Sequence, residues 1–158
     1  MPVCIDCGRD LPQDEFPKNG KDKNGNTRRR PDCKLCYAAT RNGSKKKHNK
    51  FCSNDKHRTG AAPDYSITDW AASLAHFNGR CMYCGRPQSR RLVLTRDHIV
   101  AVSKGGRTTR HNIGPACRHC NTSKNASSME EWYRKQKFFN EETLKIIVDW
   151  RDKDERKA

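Results

Sequence analysis

Residues 95–106 read TRDHIVAVSKGG, and the layout of this stretch decides the fold. The apolar run Ile99 to Val102 follows a carboxylate and an imidazole, Asp97 and His98, and gives way to Lys104-Gly105-Gly106. Asp and Lys are poor strand residues, and a glycine pair weakens a strand interior. The stretch therefore predicts a hairpin whose first strand carries the IVAV run and displays Asp97 and His98, with the turn at the glycines. A second short β segment within RTTRHNIGPAC, residues 107–117, pairs with it. C-x-x-C pairs bracket the hairpin, Cys81/Cys84 before it and Cys117/Cys120 after it, so one metal ion bound by all four would staple both ends.

Two further pairs, Cys4/Cys7 and Cys33/Cys36, stand upstream in the pattern C-x2-C-x25-C-x2-C. Disulfide frameworks do not favour a repeated two-residue spacing, whereas two thiolates from one tight turn suit a tetrahedral zinc ion. Each set of four is read as a structural Zn²⁺ site, giving two zinc ions and leaving Cys52 over. Composition explains the need for them. Of 158 residues, 33% are hydrophobic and 32% charged. Small units with so little apolar material bury too little surface to persist by packing alone.

No apolar run is long enough for a signal peptide or a membrane span, and paired free thiols suit a reducing compartment. The expected location is cytoplasmic, with no membrane partner. The net charge is +15, from 33 Lys plus Arg against 18 Asp plus Glu. Between Lys18 and Gly60 there are 14 basic and 3 acidic residues. An excess of this kind favours a polyanionic partner, most often nucleic acid.

The chain divides into a zinc module at 1–40, a basic linker at 41–63 and a second unit at 64–158. In the first, KNGKDKNGNTRRR is a polar loop and PDCKLCYAAT runs into a short helix. The linker lacks apolar periodicity, so it is read as ordered only on binding, with His48, Cys52 and His57 exposed. Ser66 or Thr68 caps a helix carrying Ile67, Trp70, Leu74 and Phe77 at helical spacing. Ser127 and Ser128, each with Glu three residues on, begin a helix through Trp132 and Phe138. A last helix runs from Asn140 to about Trp150, and RDKDERKA is a solvated tail. Phe138, Phe139 and Trp150 serve either the core or a homodimer interface.

Between the knuckles, Asp97-His98, Lys104-Gly105-Gly106, Asn112 and Asn121 occur in order, Asn112 lying 14 and Asn121 23 residues beyond His98. This constellation resembles the HNH endonucleases, the ββα-metal nucleases of phage, restriction and homing systems. The resemblance implies a small, zinc-stabilised α+β fold with a ββα-metal core and a bacterial or phage-infected cell as its setting. His98 would be the general base. Asp97 and Asn121 would hold a catalytic divalent ion, and Asn112 would hold the His98 loop. Many members have His where Asn121 stands.

The chemistry is consistent with those roles. His is the side chain best poised near neutral pH to take a proton from water. Oxygen ligands from Asp and Asn suit Mg²⁺ or Mn²⁺. On a regular strand Asp97 and His98 point to opposite faces, so a shared ion requires the backbone to bend. The resemblance implies hydrolysis of double-stranded DNA to 5′-phosphate and 3′-hydroxyl ends. Arg28, Arg29, Arg30, Lys45, Lys46, Lys47, Arg96 and Lys124 are the DNA-contact candidates. The contrasting reading is a non-catalytic zinc-containing DNA-binding protein. Such a protein has no need to hold Asp97, His98 and Asn121 together.

Overall fold

A turn at Cys4–Cys7, closed by the Gly8 N–H on the Cys4 carbonyl at 2.8 Å, opens the chain. The architecture is that of a computed structural model, which describes residues 1–153, side chains 42–44 excepted. The second cysteine pair stands at the start of helix α1 (Lys34–Thr40), for which Cys33 is the N-cap. Between the pairs, the stretch expected to be a loop is a two-stranded antiparallel hairpin, β1 (Lys18–Lys21) and β2 (Thr27–Arg29). Asp22 closes its turn by accepting from the backbone N–H groups of Asn24 and Asn26. Residues of this kind satisfy turn backbone with their own carboxylate, so a polar stretch without alternation still pairs.

The expected linker is helix α2 (Asn42–Thr59). The helix turns His48, Phe51, Cys52 and Asp55 inward, spaced as one helical face; His48 and Asp55 are buried and Phe51 and Cys52 half-buried. Two of the four are polar, so the face leaves no apolar pattern in the sequence. His48 and Cys52 are therefore not exposed, and the Cys52 sulfur lies 3.3 Å from His48 Nε2. Gly60, in the left-handed conformation, ends the helix.

Helix α3 (Ile67–His76) starts at a reciprocal cap, Ser66 Oγ accepting from Asp69 N and Asp69 Oδ2 from Ser66 N. It is buried on several sides because α1 packs on one flank and the second hairpin on another. That hairpin pairs β3 (Leu94–His98) with β4 (Ile113–Cys117), antiparallel and in unbroken register from Leu94↔Cys117 to His98↔Ile113. The strand thus ends where the apolar run was expected to begin one. Ile99 leaves the sheet and is buried in the core, and Val102–Lys104 form a 3-10 turn. The two glycines have separate reasons. Gly105 takes φ +83, and a Cβ on Gly106 would meet the Val100 carbonyl oxygen at 1.9 Å.

Helix α4 (Arg118–Lys124) follows β4 directly, completing a β-β-α unit. Helix α5 (Met129–Arg134) stops short of Phe138. Helix α6 (Glu141–Arg151) is capped by Asn140, whose side chain accepts from Thr143 N. Trp150 is buried, donates from Nε1 to the Ile113 carbonyl and stacks on His76 at 4.6 Å. Phe138 and Phe139 are half-buried against Tyr133, so all three aromatic residues complete the core. Of the expected tail, Arg151 closes α6 with ion pairs to Glu130 and Asp152, and residues 154–158 lie outside those described. No described helix is long and apolar enough to cross a membrane.

Candidate active site

The end of β3 brings Asp97 and His98 to a cleft of about 940 Å³, lined also by Arg96, Asn121 and Asn125, and by Phe51 and Arg58 of α2. Register is regular through His98, so the expected backbone bend is not a break in pairing. Asp97 is buried, accepts a hydrogen bond from the Tyr83 hydroxyl at 2.6 Å and lies 3.3 Å from Lys124 Nζ. Burial pushes its carboxyl up to about 6, with Lys124 and the Tyr83 bond pulling the other way.

His98 Nε2 lies 2.7 Å from Thr108 Oγ1, whose hydroxyl donates to Asp55 Oδ2 at 2.5 Å. Burial, followed by the nearby Arg58 charge, lowers the imidazole to about 4. It is therefore neutral near pH 7 and able to accept a proton. Lys124 donates to the His98 carbonyl at 2.9 Å, pinning the backbone at the end of β3. Asn112 holds the following loop from three directions. Its oxygen accepts from Val100 N at 2.8 Å, and its amide donates to the carbonyls of Val100 and Arg107 at 3.1 and 2.7 Å.

Asn121, in α4, donates from its amide nitrogen to Thr95 Oγ1 and to the Arg96 carbonyl. A carbonyl demands a donor, so this end must be the nitrogen, which leaves the amide oxygen available as a ligand. The Asp97 carboxylate and the Asn121 amide are hard oxygen donors of the kind a divalent ion takes, and both residues line the cleft; as the chain stands, one Asp97 oxygen is engaged by Tyr83 and the other faces the Lys124 ammonium, which an ion would have to displace. The two cysteine quartets are of the other kind. Cys4, Cys7, Cys33 and Cys36, and likewise Cys81, Cys84, Cys117 and Cys120, bring their sulfurs within 4.8 Å of one another, and four clustered thiols fit zinc.

Among the expected DNA contacts, Lys124 is corrected. Its side chain is 1% exposed and committed to Asp97 and His98, so it cannot reach a phosphate. Its position at the end of a short helix reads as surface; tertiary packing of α4 on β3 overrides that. Arg96 is partly buried, its guanidinium 4.4 Å from the Trp70 ring and 5.5 Å from Phe51 at the cleft wall. Arg29 donates to the Phe16 carbonyl, and Arg30 pairs with Asp32 and lies over Tyr37. Arg28, Lys45, Lys46 and Lys47 are exposed. His111 is buried beside Trp150, and His119 is exposed.

Several residues here escaped the sequence reading. Tyr83 and Thr108 carry no signal. Asp55 carries one: it is the only acidic residue between Cys33 and Pro63. Arg86 directs Nε and Nη2 at the sulfurs of Cys84 and Cys117, both at 3.4 Å. Arg9 lies close to Cys7 and Cys33 but spends Nη1 on the Ala75 carbonyl at 3.1 Å. The signal for this pair is the repeated C-x-x-C-G-R at 4–9 and 81–86.

Residues 81–127 match the family profile described as HNH endonuclease. This segment is an HNH endonuclease domain. The HNH domain includes Asp97, His98, Thr108, Asn112, Asn121 and the second cysteine quartet, and excludes α2. The chain is also 35% identical over 104 residues to the "SPbeta prophage-derived putative HNH endonuclease YoqL" of Bacillus subtilis (strain 168). The alignment covers 58% of this chain and 45% of that relative, so the chain matches less than half the length of the prophage protein.

Proposed function

We propose that the protein is a metal-dependent endonuclease that hydrolyses phosphodiester bonds of double-stranded DNA, leaving 5′-phosphate and 3′-hydroxyl ends. The observation that carries this reading is the buried imidazole of His98 sharing one cleft with Asp97 and Asn121 inside the HNH domain. His98 accepts the proton of the attacking water. Asn112, by tying residues 100 and 107 together, holds the His98 loop so that the imidazole stays aimed. Asp97 and Asn121 would hold Mg²⁺ or Mn²⁺, which supplies charge stabilisation at the scissile phosphate and the departing 3′ oxygen.

Binding follows from the other half of the molecule. Residues 1–40 form a zinc module, 64–158 the nuclease domain, and α2 joins them, presenting Lys45, Lys46 and Lys47 outward. With Arg28 these provide phosphate contacts, and Arg96 faces the cleft. The site is one hydrolytic centre per chain, so a restriction role requires two copies while a homing or phage enzyme can nick one strand.

The test is cleavage of supercoiled plasmid with Mg²⁺ or Mn²⁺ and with chelator, the unaltered protein beside His98→Ala, with the new ends sequenced. The expected result is metal-dependent cutting that His98→Ala lowers on the order of 10²- to 10⁴-fold. Binding of DNA without cutting by the unaltered protein, across duplexes of varied sequence, would overturn the reading in favour of a zinc-containing DNA-binding protein.

A further inference from the structure

Asp55 lies near the end of α2, outside the HNH domain, with its side chain 2% exposed. One carboxylate oxygen accepts from Thr108 Oγ1 and the other from Arg58 Nη2, both at 2.5 Å. The second oxygen is also 3.8 Å from His98 Nε2. Burial opposes its ionisation, but the Thr108 and Arg58 hydrogen bonds hold the carboxyl below its usual range, so it acts only as an acceptor.

A hydroxyl has one proton to give. Thr108 gives its proton to Asp55, so toward His98 it can offer only a lone pair, and the 2.7 Å contact requires Nε2 to carry hydrogen. A neutral imidazole has one N–H. The lone pair that can receive a proton is therefore on Nδ1. We infer that Asp55 is a positioning residue: through Thr108 it fixes His98 as the Nε2–H tautomer and so makes Nδ1 the nitrogen that takes the proton from water. The inference rests on the reading of His98 as the general base. It also gives the transient imidazolium a fixed acceptor chain ending in a carboxylate, which offsets part of the cost of charging a buried ring. Arg58 tempers that charge from the far side, and Phe51, one turn before Asp55, sets its ring 6.0 Å from the imidazole.

The experiment uses the full-length, zinc-loaded protein labelled with ¹⁵N-histidine, the His98 signals being assigned by their loss in His98→Gln. The unaltered protein should show Nε2 protonated and Nδ1 bare. In Asp55→Asn the amide can donate to Thr108, the hydroxyl proton turns toward Nε2, and the tautomer should invert. With it, kcat should fall on the order of 10²- to 10⁴-fold while KM stays within about twofold. Thr108→Val should lose a comparable factor, and Thr108→Ser, which keeps the hydroxyl, should restore most of it. Zinc content and circular dichroism identify any variant that fails to fold, and if Asp55→Asn is one, the Thr108 pair decides. An Asp55→Asn protein with unchanged ¹⁵N signals and kcat would overturn the inference, as would Thr108→Ser being as impaired as Thr108→Val. The spectrum needs no turnover. A protein that cuts no DNA yet shows the expected tautomer refutes the nuclease reading alone, while one that cuts normally without Asp55 refutes this inference alone.

Discussion

The two cysteine modules are built from one local plan and put to opposite uses. In each, C-x-x-C-G-R makes the first turn, the Cys N–H closing on the Arg carbonyl at 2.9 Å, and the third cysteine caps a helix. In the second the arginine directs two nitrogens at thiols, and in the first it lies close to two of them. Four thiolates around Zn²⁺ leave two net negative charges, which a guanidinium offsets at close range. The insert between second and third cysteines is a hairpin in both. In the first module its strands are exposed and carry Lys and Arg, and in the second they are largely buried and end in Asp97-His98. The cysteine quartets gather the ends of each insert, and burial by the surrounding helices decides whether the insert becomes a basic surface or the wall of a cleft.

The comparison can be broken most severely at the cysteines themselves. Cys81→Ser removes a ligand buried within the core cluster, and the expected outcome is loss of cooperative unfolding and of all cleavage. Cys7→Ser should instead leave a thermal transition from the second unit; calorimetry of the two variants checks this. Next comes Lys124→Ala, which strips the counter-charge from buried Asp97 and should cost about 3–5 kcal/mol, read by urea denaturation. The same change at exposed Arg28 should leave stability unaltered. Replacing Lys45, Lys46 and Lys47 together by Ala should reduce the slope of log K against log salt by about 1 per lysine that contacts phosphate, without changing the unfolding midpoint. The smallest effect expected is on zinc retention. Arg86→Ala should speed zinc transfer to a chromophoric chelator by several-fold, and Arg9→Ala should do the same at the first site only.

The sequence was most readable where chemistry restricts residue identity. Eight cysteines in pairs, the Asp97-His98 step, Asn112 and Asn121 could be placed without coordinates, as could the cap at Ser66. It was least readable where packing chose among residues of the same character. Lys124 and Lys45 look alike in sequence, yet one is sealed under β3 and the other is in water. The IVAV run has the composition of a strand, but the sheet takes LTRDH and sends Ile99 to the core, because Asn112 and Gly106 hold residues 100 and 101 in a tight return. Helix α2 was hidden because the face it buries consists of His, Phe, Cys and Asp, which no hydrophobic pattern reports.

Helix α2 also bears on how such enzymes can be recombined. Its outer side belongs to the surface that would meet DNA, and its inner side ends in the carboxylate that receives the Thr108 proton. A nuclease cut down to residues 64–158 would keep every signature of its family and still leave that hydroxyl without its acceptor. On the proposed role of Asp55, the front half would not be an interchangeable reading head. Any exchange of it for another would have to bring its own carboxylate to the same place, and shuffling at the boundary that sequence suggests would pass through chains with an intact motif and no acceptor for the Thr108 hydroxyl.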